Sequence, residues 1–462
     1  MNRLPPDPAT SRRAAAGSRR LRIGARAILP IASLLFCAGS GRGAEWPQWR
    51  GPEGQGHSSA TGLPSTWSET ENVLWKTPIP GRGWSSPVIE GDRLWVTTAV
   101  EVAMTPEARE RRAKSLPPGD QPLTLVEKVE LRAVGLDLAT GRVAQEALLL
   151  TEKEPQPVHQ LNSYASPTPV LEDGRLYAHF GTFGTACLDT RTARVVWTNT
   201  DLHVQHENGP GSSPILWKDR LIFHLDGSDR QFVVALDKGT GKVAWKTDRS
   251  GELRENPQMR KSYATPLVVP VAGREMLLSQ GADWLYGYEP ATGRELWKTS
   301  YGVLGFSLAA RPVFGHGMLY ASIGFMKPEI FAYRFGSSGA PELAWRHSKG
   351  VPTMPSPLLV GDELYFVPDT GGVLTCLDAR SGAERYRERL GGNHCSSPIF
   401  ADGKIFIPNR DGLTTVVALG ATFKKLGENR LDGGIFASPA AVGHALYLRT
   451  EKALYRIEEK SR

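Results

Sequence analysis

The side chains most able to meet a ligand in this sequence recur at two kinds of place. The first lies three residues ahead of a proline, where Trp84, Tyr164 and Tyr263 stand. The second is a set of polar turns: His224-Leu225-Asp226-Gly227-Ser228-Asp229-Arg230, Gly281-Ala282-Asp283, Asp369-Thr370-Gly371-Gly372 and Asn409-Arg410-Asp411-Gly412. His394, beside Cys395 and ahead of another such proline, adds an imidazole. Flat rings stack on a planar molecule, while carboxylates, imidazole and guanidinium fix its orientation. If the two loop sets share one face, Trp84, Tyr164, Tyr263, Asp226, Asp229, His394, Arg410 and Asp411 make a binding mouth for a small polar or planar ligand. A plainer reading uses the same residues structurally, with Asp and Gly forming turns and the rings filling a central channel.

Other chemistries find less support, and no catalytic residue is assigned. No glycine-rich phosphate loop precedes a helix, and there is no His-Glu-x-x-His. His203 and His206 stand three apart. That spacing is open to a metal, but in a polar loop two solvated imidazoles are expected instead. Ser213 has no nucleophile elbow around it.

What must position these loops is a repeat. A Ser-Pro or Thr-Pro step followed by an apolar run occurs at Ser86-Pro87, Ser166-Pro167, Ser213-Pro214, Thr265-Pro266, Ser356-Pro357, Ser397-Pro398 and Ser438-Pro439, with a degenerate copy at Arg311-Pro312. Each copy reads as strand, Gly/Asp turn, strand, as in Pro398-Ile399-Phe400, Ala401-Asp402-Gly403, Lys404-Ile405-Phe406-Ile407. A second strand pair follows, as in Val233-Val234-Ala235-Leu236-Asp237-Lys238-Gly239-Thr240-Gly241-Lys242-Val243-Ala244-Trp245. The closing Trp is expected at the seam between neighbouring units. The first copy carries Gln145 in that slot and the sixth Tyr386.

Four short strands per unit and eight units predict an all-β fold, an eight-bladed β-propeller of four-stranded antiparallel blades. The last unit is one strand short. Residues 72–76, Asn72-Val73-Leu74-Trp75-Lys76, look like the missing strand and are expected to close the ring.

Charge and cysteines set the compartment. The net charge is +7. Residues 1–43 hold Arg3, Arg12, Arg13, Arg19, Arg20, Arg22, Arg26 and Arg42 against Asp7 alone, so the rest is formally neutral and no nucleic-acid surface is expected. This basic front, followed by Ala27-Ile28-Leu29-Pro30-Ile31-Ala32-Ser33-Leu34-Leu35-Phe36, reads as a signal peptide over 1–43. The propeller then occupies 44–462, periplasmic or secreted, with no transmembrane span in the mature chain. Cys187, Cys376 and Cys395 remain, too few for a full disulfide framework. Cys187 and Cys376 read as small buried residues, and Cys395 is open to pairing with Cys376. An insertion over about 101–121 in blade one contains Thr105-Pro106-Glu107, a helix start, and ends at Pro117-Pro118-Gly119-Asp120.

The unit Ala235 to Trp245 resembles the tryptophan-docking repeat of pyrroloquinoline quinone (PQQ) propellers. Trp46-Pro47-Gln48-Trp49-Arg50-Gly51-Pro52 resembles the start of PQQ-like repeat proteins of planctomycete-type bacteria. The resemblance implies one of two branches. Quinoprotein alcohol dehydrogenases imply PQQ and calcium, a vicinal Cys-Cys ring and a Glu/Asn/Asp set, none of which this sequence places. The BamB branch implies a non-enzymatic scaffold of the cell envelope with protein partners and no cofactor. The expectation is therefore a binding or assembly scaffold, with a PQQ- and calcium-dependent alcohol or sugar dehydrogenase as the alternative.

Overall fold

The computed structural model describes residues 45–116, 122–302 and 305–460. The proposed leader and Pro117-Pro118-Gly119-Asp120 lie outside the described residues. Eight antiparallel sheets form the blades of a propeller, each of four strands, and blade one carries a fifth. In blade three the strands are Ile215–Trp217, Arg220–Asp226, Gln231–Asp237 and Val243–Asp248. The second and third strands of the blades are apolar on both sides and buried, as a layer between two other sheets must be.

Ring closure follows the expected route, with slightly different bounds. Val73–Pro78 pairs antiparallel with Ala453–Ile457 and is the outer strand of blade eight. An inner ring of hydrogen bonds joins the blades. At seven of the eight steps the backbone N–H donates to the next step's hydroxyl: Ser86 to Thr168, Thr168 to Ser213, Ser213 to Thr265, Arg311 to Ser356, Ser356 to Ser397, Ser397 to Ser438 and Ser438 back to Ser86, all at 2.9–3.0 Å. This ring corrects the register of blade two. Its structural step is Thr168-Pro169, whereas Ser166 bonds locally to Asn162 and Ser163.

The outer seam is made by the indoles. Trp75 Nε1 donates to Leu138 O, Trp197 to Lys238 O, Trp245 to Pro290 O and Trp345 to Ala379 O, always in the following blade's last turn. In blade one, Gln145 Nε2 does the same to Arg191 O at 3.0 Å, so an amide replaces the indole donor. The turn glycine allows the indole to lie flat. A Cβ on Gly241 (φ +73°) would stand 2.4 Å from the Trp197 ring.

The channel is filled by the chain's own N-terminal segment. Glu45–Trp46 pairs with the inner strand of blade one. Beyond it, Pro47 O accepts from Leu171 N, Gln55 from Phe314 N, His57 Nε2 contacts Leu359 O, Ser58 N donates to Phe400 O, and Ser58 Oγ donates to Ala441 O. The segment so touches blades one, two, five, six, seven and eight before Leu63 and Trp67 lead it out to the closing strand.

The insertion in blade one extends its middle strands, Arg93–Ala103 and Val126–Asp137. A helix over Pro106–Ser115 starts as expected, with Thr105 Oγ1 accepting from Ala108 N at 3.2 Å, and it buries no residue. No helix among the described residues is long and apolar enough to cross a membrane.

Replacing Gly241 with Ala forces a left-handed backbone and a clash with an indole. Chemical denaturation is expected to show a loss of about 2–4 kcal/mol. Gly273→Ala, also at positive φ but with nothing within 4 Å of its Cβ, is expected to lose only the backbone part, about 1 kcal/mol.

Candidate functional site

Strand direction puts both loop sets on one face. The connections into each Ser/Thr-Pro step and the loops joining second to third strands leave from the same end of every blade, and the hairpin turns occupy the other end. The expected residues are all carried by that face, but they do not form one ring.

Tyr263 and Asp226 come together with three histidines that the repeat pattern did not single out as a group. His179 ends the second strand of blade two, His224 stands in the second strand of blade three, and His206 lies in the connection between them. With Tyr263, Asp226, Ser212 and Gly209-Pro210-Gly211 they line a cavity of about 20 Å³, room for about one water. All three imidazoles are buried. His179 Nδ1 meets Thr185 Oγ1 at 2.9 Å, and His224 Nδ1 meets Ser279 Oγ at 3.0 Å. Ser279 Oγ also accepts from Arg249 Nη2 at 2.9 Å. His179 Nε2, His224 Nε2, both His206 nitrogens and Ser212 Oγ have no protein partner.

Burial pushes His179 and His206 down to about 3 and His224 well below its ordinary value, so the three rings are neutral. Next to them Asp226 is held bidentately by Arg249, at 3.1 and 2.8 Å, with both side chains out of contact with solvent. Burial opposes the Arg249 charge, but Asp226 more than offsets it and holds the guanidinium above its ordinary pKa. Arg249 also lies over the Tyr286 ring, 4.7 Å from its centre. Tyr263 Oη donates to His206 O at 2.8 Å and ties the loops of blades three and four together.

A second group sits in blade seven. His394 is buried, its Nδ1 2.8 Å from Pro408 O and its Nε2 3.2 Å from Gly391 O. Arg410 is half-buried near Cys395 and Asp369, and Asp411 is exposed. The remaining expected residues stand apart. Trp84 stacks on Phe436 at 4.4 Å and donates to Leu161 O. Asp229 is exposed and accepts from Gln205 N at 2.7 Å. Tyr164 is not at the mouth: it is fully buried between blades one and two, against Phe183.

The loop carboxylates serve the backbone. Asp283 accepts from Arg254 Nε and Gly305 N, Asp369 from Thr353 N and Met354 N, and Asn409 Oδ1 from Asp411 N and Leu413 N. This is the turn-forming role of Asp and Asn. A calcium–quinone centre needs several free oxygen ligands and a stacking floor. The loop aspartates do not fit it: both oxygens of Asp226, Asp283 and Asp369 are already bonded, and among the described residues no three His, Cys, Asp or Glu are placed to hold a metal. Cys187, Cys376 and Cys395 are all free, so the open pairing of Cys395 with Cys376 is not made, and Cys395 Sγ instead faces Met354 Sδ. Cys187 and Cys376 are the small buried residues expected.

His206, expected as solvated, is buried instead, because the blade-two connection folds down into the cleft. Arg249 directly follows the last strand of blade three, Val243–Asp248, where nothing in the repeat marks it. One signal was available for the histidines: His179 and His224 occupy the same slot of consecutive units, a polar residue in an otherwise apolar strand.

A family model described as "Outer membrane protein assembly factor BamB" matches residues 59–247, 229–324 and 337–426. The chain belongs to this PQQ-like propeller family. No curated protein sequence matches the chain. Among solved structures, BamB from Moraxella catarrhalis superposes with a TM-score of 0.50 at 13% identity, over 72% of this chain and 100% of that one. A europium-containing methanol dehydrogenase superposes with a TM-score of 0.50 at 12% identity, over 88% and 89%. At such identities the likeness is one of fold.

The three neutral imidazoles make this PQQ-like propeller sensitive to acid. Their folded pKa values lie below the unfolded value of about 6.5, so the unfolded chain binds more protons. Their contribution is complete above that value and is lost as pH falls toward 3. Urea midpoints measured from pH 7 to 4.5 are expected to fall. His206→Asn is expected to reduce proton uptake on unfolding by close to one at pH 4.5 and by much less at pH 7.

Proposed function

We propose that this PQQ-like propeller is a non-catalytic scaffold of the cell envelope that binds or helps assemble other proteins, as the assembly-factor description of its family suggests. It reaches the periplasm or the exterior through the basic, apolar leader at 1–43. The observation that carries the reading is the state of its centre. Residues 45–58 occupy the channel, and Asp226, Asp283 and Asp369 of the loop face are held by arginines and backbone amides. What remains open on that face is suited to contact rather than to chemistry. Phe325 and Met326, 54% and 72% exposed at the tip of the blade-five loop, offer apolar area beside Phe306. Function then lies in the arrangement of loop surfaces on a rigid ring.

The alternative, a PQQ- and calcium-dependent alcohol or sugar dehydrogenase, shares the architecture of the methanol dehydrogenase above. Titrating purified protein with PQQ and calcium separates the two. The scaffold reading expects no saturable change in quinone absorbance and no reduction of an artificial electron acceptor with a panel of alcohols. Saturable binding accompanied by turnover would replace it with the dehydrogenase.

A further inference from the structure

The plugged channel contains two arginines with no acidic partner. Arg50 belongs to the N-terminal segment, and Arg311 stands in blade five where the inner ring lacks a hydroxyl. Both are buried, at 0% and 2% exposure. The segment winds tightly around them. A Cβ on Gly54 (φ +65°) would lie 2.1 Å from Arg311 Nη1, and one on Gly56 (φ +88°) 2.8 Å from Arg50 Nη2. Only glycine accommodates both the backbone and the approach.

The donor count is incomplete on each guanidinium. Arg50 Nη2 donates to Gln55 O at 3.1 Å and Pro357 O at 2.7 Å. Its Nε and Nη1 are buried without a protein partner. Arg311 Nη1 donates to Trp49 O and Gly54 O, both at 3.3 Å, and its Nε is likewise buried and unpartnered. Neither arginine forms an ion pair among the described residues; burial and then the Arg311 charge hold Arg50 below its ordinary pKa, and burial does the same to Arg311. Glu53 is exposed and acts on His57. Two adjacent cations with idle N–H groups, away from water, are strongly unfavourable unless something negative meets them.

We propose that the channel binds a small inorganic anion of halide size between Arg50 and Arg311, chloride being the ligand tested. Gly54 presses on the Arg311 guanidinium and Gly56 on that of Arg50, which favours a compact occupant. The anion accepts from Arg50 Nε or Nη1 and Arg311 Nε, offsets both charges, and ties the plug to blade five. It is a structural ligand, independent of whether the protein is a scaffold or an enzyme.

The test compares chloride with gluconate at constant ionic strength on the whole protein. Melting temperature is expected to rise by about 2–5 °C between 1 and 100 mM chloride, and not with gluconate. Arg50→Met is expected to abolish that dependence. Should the variant fail to fold, wild-type crystals soaked in bromide decide the matter through anomalous scattering. A bromide peak within hydrogen-bond reach of Arg50 Nη1 or Nε and of Arg311 Nε is expected. Water alone at that position, a peak only elsewhere, or equal melting in chloride and gluconate overturns the proposal.

Discussion

Everything in this molecule is located by the inner ring in which one blade's amide donates to the next blade's hydroxyl. Each bond is modest, about 1 kcal/mol net, but each also satisfies a buried N–H that would be costly unpaired. Seven of them fix the start of successive inner strands relative to one another. Once those starts are set, the blades fan outward and the indoles close the outer seam against turn glycines. The ring is interrupted at Arg311, which has no hydroxyl to offer its neighbour. That is also where the N-terminal segment is anchored most deeply, so the break in the repeat and the plug belong to one local arrangement.

The loop face inherits its rigidity from this geometry. Its carboxylates look like ligands in sequence, yet Asp226, Asp283 and Asp369 each hold a neighbouring group of the same chain. The histidine cluster lies where blades two, three and four meet, and its polar contacts run through Thr185, Ser279 and Arg249, on strands or just beyond one. A face organised in this way changes shape little when it meets a partner, which suits a scaffold.

Much of the fold was legible because the repeat repeats. Strand pairs, turn glycines, seam tryptophans and the closing strand all have local signatures, and Val73–Pro78 lies close to its expected place. Blade two misled for a local reason: Ser166-Pro167-Thr168-Pro169 contains two steps, and only packing against Ser86 and Ser213 chooses the second. The site was far less legible. Whether a loop aspartate is free depends on which amide the next loop brings to it, and no spacing encodes that. Tyr164 shares a position with Trp84 relative to a proline, but the wrong proline, and it turns inward. The setting of Arg50 was hidden because Pro357, which accepts from it, lies 307 residues away in sequence.

The closing strand has one more implication. Its partner, Ala453–Ile457, is made long after Val73–Pro78. Until Ala453–Ile457 has been made, Val73–Pro78 has no sheet to join. A partly made chain therefore carries an open arc of blades with both rims bare, a state prone to sticking to its own kind. Formation of the ring therefore has one late event, the pairing of its first strand with its last.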